Sequence, residues 1–455
     1  MKTHNKLAGN RQDSDISAAQ NLRRVAWVTL FDSSVQWYCF LLYGTAAGTV
    51  FNKVFFSVVP DENTQLVLSY MSFAIGYIAG PFGAVFFGQL GDKYGRKFSV
   101  IVSLLFMGLS TAAIGFLPPA QVAGVWTAIA LQVMRLTQCF GRGGTWGGSI
   151  LLAYENVPER LRNFYGSIPQ IGLPVGFGLS SIVILIPSYT MTNSQFLAWG
   201  WRVPFLFALV LTILVVVLKD KVMETEDFKK AQAKLEAQEQ EASRQKVGFI
   251  PMVKQYWPTL LLGCGTRWVD GTFYNIFIVW ILSYCVVWLD MPLYQTYLIT
   301  IIACVFKIPF TLFGGWVASK LGNTRTFVIG AVSSAVLSIP TLKGIEWTHG
   351  HLFLTTAVIV LGWSIAYNLI WACMGSLWSS YFETEVRYSG ISFVYHVPSF
   401  VVAGLVPTIC TYLVNISNGD TLYVGIYSTI VALISAWCAL ELRRRFRRSE
   451  NNKKS

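Results

Sequence analysis

Apolar residues run through this chain in long blocks, which short polar stretches interrupt at a nearly regular interval. Twelve such spans fall at residues 25–50, 66–88, 98–118, 121–153, 166–187, 200–218, 255–287, 292–319, 326–342, 352–381, 389–414 and 422–442. A bilayer core about 30 Å thick takes roughly 20 residues of helix to cross. Backbone in lipid must also satisfy its own hydrogen bonds. The pattern therefore predicts an all-α membrane protein with twelve transmembrane helices. A polar segment at 1–24, a hydrophilic stretch at 219–254 and a basic tail at 443–455 lie outside the spans. The middle stretch divides the rest into one six-helix bundle at 25–218 and another at 255–442.

Composition agrees and removes other classes. Only 13% of residues are charged and 54% are hydrophobic, whereas a soluble domain carries about 25% charged residues. Too few charges are present to cover a water-facing surface, which excludes a soluble enzyme or a disordered chain. The net charge of +12 invites a nucleic-acid reading, but the positions of the cations oppose it. Counted along the twelve spans, 28 of the 35 Lys and Arg fall on one side of the membrane, against Lys53, Arg202 and Lys343 on the other. Lys and Arg mark the cytoplasmic side, so both termini are expected there and no nucleic-acid partner is. All eight cysteines lie inside spans, which gives no disulfide framework and no metal-ligand spacing. No cofactor is expected. Residues 1–24 lack an apolar core, so the first span serves as the insertion signal.

The chain also repeats itself. Residues 88–97 read GQLGDKYGRK and residues 315–324 read GWVASKLGNT, an offset of 227 that aligns Gly88 with Gly315, Lys93 with Lys320 and Gly95 with Gly322. Each copy follows the second span of its half. Duplicated six-span halves mark one large class of secondary transporters. Between the halves, 224–246 is rich in Ala, Glu, Lys and Gln and predicts a solvated helix. The tail RRRFRRSENNKKS is a basic stop that can also touch anionic lipid.

GQLGDKYGRK resembles the loop signature of the major facilitator superfamily. Gly88, Asp92, Gly95 and Arg96 would form its gating loop, while the second copy has Ser319 and Asn323 for the Asp and Arg and implies a weaker gate. The stretches ILLAYENVPERLRNFYGSIPQIGLPVGFG at 150–178, RYSG at 387–390 and GWRVPFLF at 200–207 are similar to the metabolite:proton symporters, carriers of shikimate, α-ketoglutarate, citrate and proline/betaine type. The likeness runs from Trp37 to Pro407. It implies the major facilitator fold, two pseudo-symmetric bundles rocking by alternating access, and a bacterial inner-membrane location. Three departures bear on coupling. The family's first-span acids are Gln36 and Cys39 here, its second-span arginine is Gly80, and its fourth-span acid is Thr145. Loss of a whole charged cluster avoids leaving one buried charge unpaired, and it puts the family's proton coupling in question.

Ionisable groups inside the spans are Asp32, Arg135, Arg142, Arg267, Asp270 and Lys307. Each costs a few kcal/mol in hydrocarbon and is a functional candidate. Asp32, Gln36 and Cys39 share one helical face, as do Arg135, Gln138, Arg142 and Thr145. Arg267 and Asp270 sit three apart, so an ion pair that neutralises itself competes with a role in binding. Arg135 is either an anchor or a ligand group. Arg142, among glycines and with no acid on its own helix, is expected to face the cavity. Lys307 either completes a clamp from the second half or snorkels to the interface. Trp363, Tyr367 and Trp371 form a stripe that packs or walls a substrate. His396 is a candidate proton carrier beside Asp32 and Asp270. With four intramembrane cations against two acids, the expected solute is a small organic anion, bound through Arg. A zwitterion of betaine type, held by aromatic faces, is the second reading. A nutrient sensor that no longer transports is the third. No Ser/His/Asp, His-x-x-His or Cys-x-x-Cys set appears, so enzyme activity is not expected.

Overall fold

The computed structural model describes residues 27, 29–94, 96–144, 162–223, 249–382 and 386–454. The N-terminal segment, Gly95, Thr145 and the middle stretch 224–248 lie outside the described residues, as do the side chains of Asp92 and Arg96. Among the described residues the chain is helical, with no strand. Helix α1 spans 29–49. It is followed by α2 (Glu62–Tyr94), α3 (Arg96–Ile114), α4 (Val125–Gly143), α5 (Arg162–Thr190) and α6 (Arg202–Met223). The second half holds α7, which starts as Phe249–Asn275 and ends as Ile281–Val287, then α8 (Leu293–Leu321) and α9 (Asn323–Trp347). It closes with α10 (from Leu352–Ile359 to Tyr367–Ser379), α11 (from Arg387–His396 to Val406–Ile416) and α12 (Leu422–Lys454). Nine helices among the described residues are long and apolar enough to cross a membrane, and Phe98–Ile114 adds a shorter apolar one.

Packing reproduces the repeat read from the sequence. In the first half α4 packs on α2 and α3, and α3 on α6. In the second half α10 packs on α8 and α9, and α9 on α12. Adding six to each helix number converts one set into the other. The two seams between the halves, α5 against α8 and α2 against α11, exchange under the same operation. In the second half Gly322 alone separates α8 from α9, at φ 83°. A side chain at that φ is strained. Its counterpart by the 227-residue offset is Gly95, between Tyr94 and Arg96.

Helices approach closely where a glycine at a crossing removes a side chain. A Cβ on Gly83 would stand 1.9 Å from the Phe140 carbonyl oxygen, and one on Gly143 would stand 2.3 Å from that of Gly80. These four residues form the α2–α4 crossing. Outside, the surface is apolar: Trp27, Trp126, Trp347 and Phe82 are more than 60% exposed. Lipid, not water, is the solvent that such a surface fits.

At the end opposite the 88–97 loop, a polar clasp ties α9 to the α11–α12 turn. The Lys343 Nζ lies 2.7 Å from Asp420 Oδ1 and 3.0 Å from Glu346 Oε2. Glu346 Oε2 also accepts from the Thr421 N–H and O–H at 3.1 Å each. Hydrogen bonds from Lys343 and the Leu422 N–H hold the Asp420 carboxyl below its usual value of 3.8. A carboxyl depressed in the folded state stabilises it above the unfolded value and loses that contribution as pH falls through the folded one. Lys343→Met should therefore lower thermal stability at neutral pH, by no more than about 1 kcal/mol because the pair is partly exposed. The difference from wild type should vanish in acid. A melting series against pH checks both parts, and a deficit independent of pH would count against the clasp.

Candidate substrate site

The buried polar residues of the two halves meet at the seam. On α4, Arg135 and Arg142 stand two turns apart, with the Phe40 ring of α1 between their guanidiniums at 4.5 and 3.7 Å. Arg135 is fully buried and stays inside the first half. The Tyr43 and Phe73 rings enclose it at 4.3 and 4.6 Å, the Phe73 carbonyl accepts from Nε and Nη2, and Gln138 Oε1 accepts from Nη1. Gln138 passes the network on, donating to the Cys39 carbonyl at 2.9 Å and to Thr111 at 2.7 Å. Of the two readings for Arg135, this placement favours the anchor.

Arg142 reaches across. Its Nη2 donates to the Tyr395 hydroxyl of α11 at 2.9 Å, and its guanidinium lies 4.5 Å from the Trp37 ring centre. The other face of the seam presents Arg267, 4.5 Å over the ring of the same Tyr395. Two guanidiniums from opposite halves thus share one aromatic ring, an arrangement that stacking permits for arginine.

A charged network continues from there through the second half. Arg267 Nη1 pairs with Asp270, as the spacing of three predicts, and Tyr367 donates its hydroxyl to the other Asp270 oxygen. The Tyr367 ring lies 4.1 Å from the Lys307 ammonium, the Trp363 ring 4.5 Å from it, and Asn368 Oδ1 accepts its proton at 2.7 Å. Lys307 is fully buried and does not snorkel. Among these three charged groups of the second half there are two cations and one acid, each at most 1% exposed.

Among the described residues, the buried Arg267 Nε and Trp363 Nε1 have no hydrogen-bond partner. Unsatisfied donors inside a protein cost about 1–3 kcal/mol each. Their presence beside the cations fits a site that a ligand completes.

The remaining expected residues are also placed. Trp371 leaves the Trp363–Tyr367 group and turns to the first half, its indole N–H donating to the Gln170 carbonyl at 2.9 Å and its ring meeting Trp37. His396 is 7% exposed and fills the notch at Gly80, where a Cβ would stand 2.9 Å from its Nδ1. Asp32 and Gln36 are buried on α1 at 3% and 4% exposure. A Cβ on Gly88 would meet nothing within 4 Å. The structure adds Tyr395, Asn368 and Gln170 to the residues expected at the seam. A polar amide inside an apolar span is the signal that could have found Asn368 and Gln170.

Three π-turns flank this network: Ile276–Trp280 in α7, Val360–Ala366 in α10 and Phe400–Gly404 in α11. Such turns cluster at functional sites because they re-aim side chains and free carbonyls. The freed Val279 carbonyl accepts from Tyr70 of α2 at 3.4 Å, and Ser283 meets the same hydroxyl at 2.6 Å, which closes the seam on the side away from the 88–97 loop.

Comparison with known proteins decides the family. The model of the sugar (and other) transporter family matches residues 25–441. The chain belongs to that family. The inner membrane metabolite transport protein YhjE of Escherichia coli K12 is 32% identical to the carrier over 429 residues, covering 92% of this chain and 94% of its own. The shikimate transporter of the same organism is 30% identical, covering 96% and 98%. Its proline/betaine transporter is 29% identical, covering 91% and 82%. In fold, the carrier is similar to the partially occluded inward-open form of the E. coli xylose transporter XylE, with a TM-score of 0.70 at 16% identity over 93% of this chain and 97% of that one. The carrier is therefore a multi-pass membrane protein with the major facilitator fold and a secondary transporter of small metabolites, not an enzyme.

Proposed function

We propose that the carrier moves a small organic anion bearing a carboxylate, in a bacterial inner membrane, with both termini cytoplasmic. The observation that carries this reading is the buried set of Arg267, Asp270 and Lys307, in which Arg267 pairs with Asp270 and Lys307 stands across the Tyr367 ring, bonded to Asn368. Such a set gains electrostatically from one more negative charge, and guanidinium binds carboxylate in a bidentate manner. Arg142 supplies a second guanidinium from the opposite half, so a carboxylate between Arg142 and Arg267 would draw the halves together. Binding that closes a seam is what alternating access needs. A relative that carries shikimate, itself a carboxylate, supports the same class.

A zwitterion of betaine type is the second reading. The rings of Trp37, Trp371 and Tyr274 meet edge to face at the seam, centres 5.6 and 6.0 Å apart, and such rings attract quaternary ammonium groups. Relatives named for proline and betaine favour it too.

Reconstitution separates the two. Proteoliposomes should take up labelled shikimate, and unlabelled carboxylates should compete while glycine betaine does not. Uptake of betaine or proline without any carboxylate would overturn the anion reading, and the absence of all uptake would favour a sensor. The loop at 88–97 supplies the gate in this scheme. Asp92→Asn or Arg96→Ala should lower exchange and favour the form open to the cytoplasm, while Ser319→Ala should change little. Equal sensitivity of both loops in cysteine-accessibility measurements would contradict the asymmetry.

A further inference from the structure

The acid that the sequence places beside Arg267 occupies the position a substrate carboxylate would want. Asp270 is fully buried and held by two donors from different helices, the Arg267 guanidinium and the Tyr367 hydroxyl. We propose that Asp270 couples the anion to a proton: the substrate carboxylate replaces Asp270 on Arg267, and the displaced Asp270 carboxyl takes up one proton. The proposal rests on the anion reading above and adds the group that titrates.

Three features support the exchange. Among the described residues Arg267 keeps an unpartnered Nε–H, on the edge that Nε shares with Nη2, while Asp270 occupies Nη1. A planar guanidinium offers parallel N–H donors to a carboxylate, so an incoming anion has a donor to engage before Asp270 lets go. A buried carboxylate stripped of its cation is an uncompensated and costly charge. Protonation removes that charge, and burial favours the neutral acid. The charge account also closes. Before binding, the guanidinium of Arg267 and the carboxylate of Asp270 cancel. After anion and proton have entered, the substrate holds the negative charge, Asp270 is neutral, and the net charge is the same. One ion pair breaks and one forms, and the new O–H bond on Asp270 forms as an O–H bond of a hydronium ion breaks on the side where the anion enters.

Among the described residues, the titratable and charged groups near Asp270 come from its own helix and five others. On its own helix stand Arg267 and Tyr274, and the Tyr274 hydroxyl bonds to that of Tyr77 on α2. From α10 comes Tyr367, from α8 Lys307 behind the Tyr367 ring, from α11 Tyr395 and His396, and from α4 Arg142, bonded to Tyr395. His396 lies in the Gly80 notch. It flanks the Tyr395 ring that both guanidiniums use.

The test uses the full-length protein in detergent, shikimate as the probe, and a pH indicator in weak buffer. Wild type should take up about one proton per anion bound, and its affinity should fall by up to tenfold per pH unit on the alkaline side. Asp270→Asn should bind shikimate with no proton uptake and with affinity flat in pH. Tyr367→Phe should keep the proton but move the alkaline fall-off upward, because the carboxylate loses a donor that stabilises its charged form. His396→Gln and Asp32→Asn should leave the stoichiometry unchanged. Anion binding without proton uptake in wild type, uptake that survives in Asp270→Asn, or uptake lost in His396→Gln or Asp32→Asn would each overturn the assignment. Should Asp270→Asn not fold, an unmoved pH profile in Tyr367→Phe overturns it instead. If betaine binds and no carboxylate does, the anion reading fails, and the coupling scheme with it.

Discussion

Replacing Arg142 with glutamine is expected to weaken carboxylate binding by about 100-fold or more while the protein still inserts and folds. Truncating one charge of a buried, hydrogen-bonded charge pair costs about 2–5 kcal/mol, and every 1.4 kcal/mol is tenfold in affinity. Arg142 is the first-half cation whose guanidinium reaches a second-half residue, through Tyr395. Arg135→Gln makes the contrasting control. Its guanidinium lies within rings and carbonyls of the first half, so the loss should appear as lower thermal stability. Shikimate binding to both variants, measured beside their melting curves, separates the two roles. Unchanged affinity in a well-folded Arg142→Gln protein would remove Arg142 from the site.

Adding a single methyl group at Gly83 should cost about 3 kcal/mol or abolish folding. Overpacking a tight contact typically costs 1–3 kcal/mol, and here the obstacle is backbone, not a side chain that can swing aside. The new Cβ would stand 1.9 Å from the Phe140 carbonyl oxygen, so α2 and α4 must separate. Gly88→Ala, one and a half turns further along α2, meets nothing within 4 Å and should be tolerated. Size-exclusion profiles and melting curves of the two variants check the pair. Equal behaviour would mean that glycine at the crossing serves something other than close approach.

How far the sequence foretold this molecule depends on the distance between partners. Spans, repeat and membrane class are legible because each is a property of one continuous stretch. The Arg267–Asp270 pair is legible for the same reason, since three residues along a helix bring side chains together. Arg142 and Tyr395 are 253 residues apart, and no spacing rule joins them. The Gly80–His396 fit is similar: a missing side chain in one half and a ring in the other can be matched only once the halves are docked. The stripe Trp363–Tyr367–Trp371 misleads differently. It begins in the π-turn of α10, and its members end up in two places, the first two at Lys307 and the third at Gln170. Lys307 resists reading because a lysine in an apolar span looks the same whether it snorkels or is bonded inward.

The seam between α5 and α8 carries its own reporter. Cys304 is 2% exposed, and its Cβ lies 3.4 Å from where a Cβ on Gly178 would stand, so the two backbones shut it in. Of the eight thiols, Cys264 alone is partly exposed. A reagent can therefore alkylate Cys304 only in molecules whose seam has parted. When closing is faster than the reaction, the labelling rate is the rate of a free thiol multiplied by the fraction of time spent apart. Mass spectrometry of the native protein, site by site, then reads the breathing of the carrier as a clock. A solute that draws Arg142 and Arg267 together should slow that clock at Cys304.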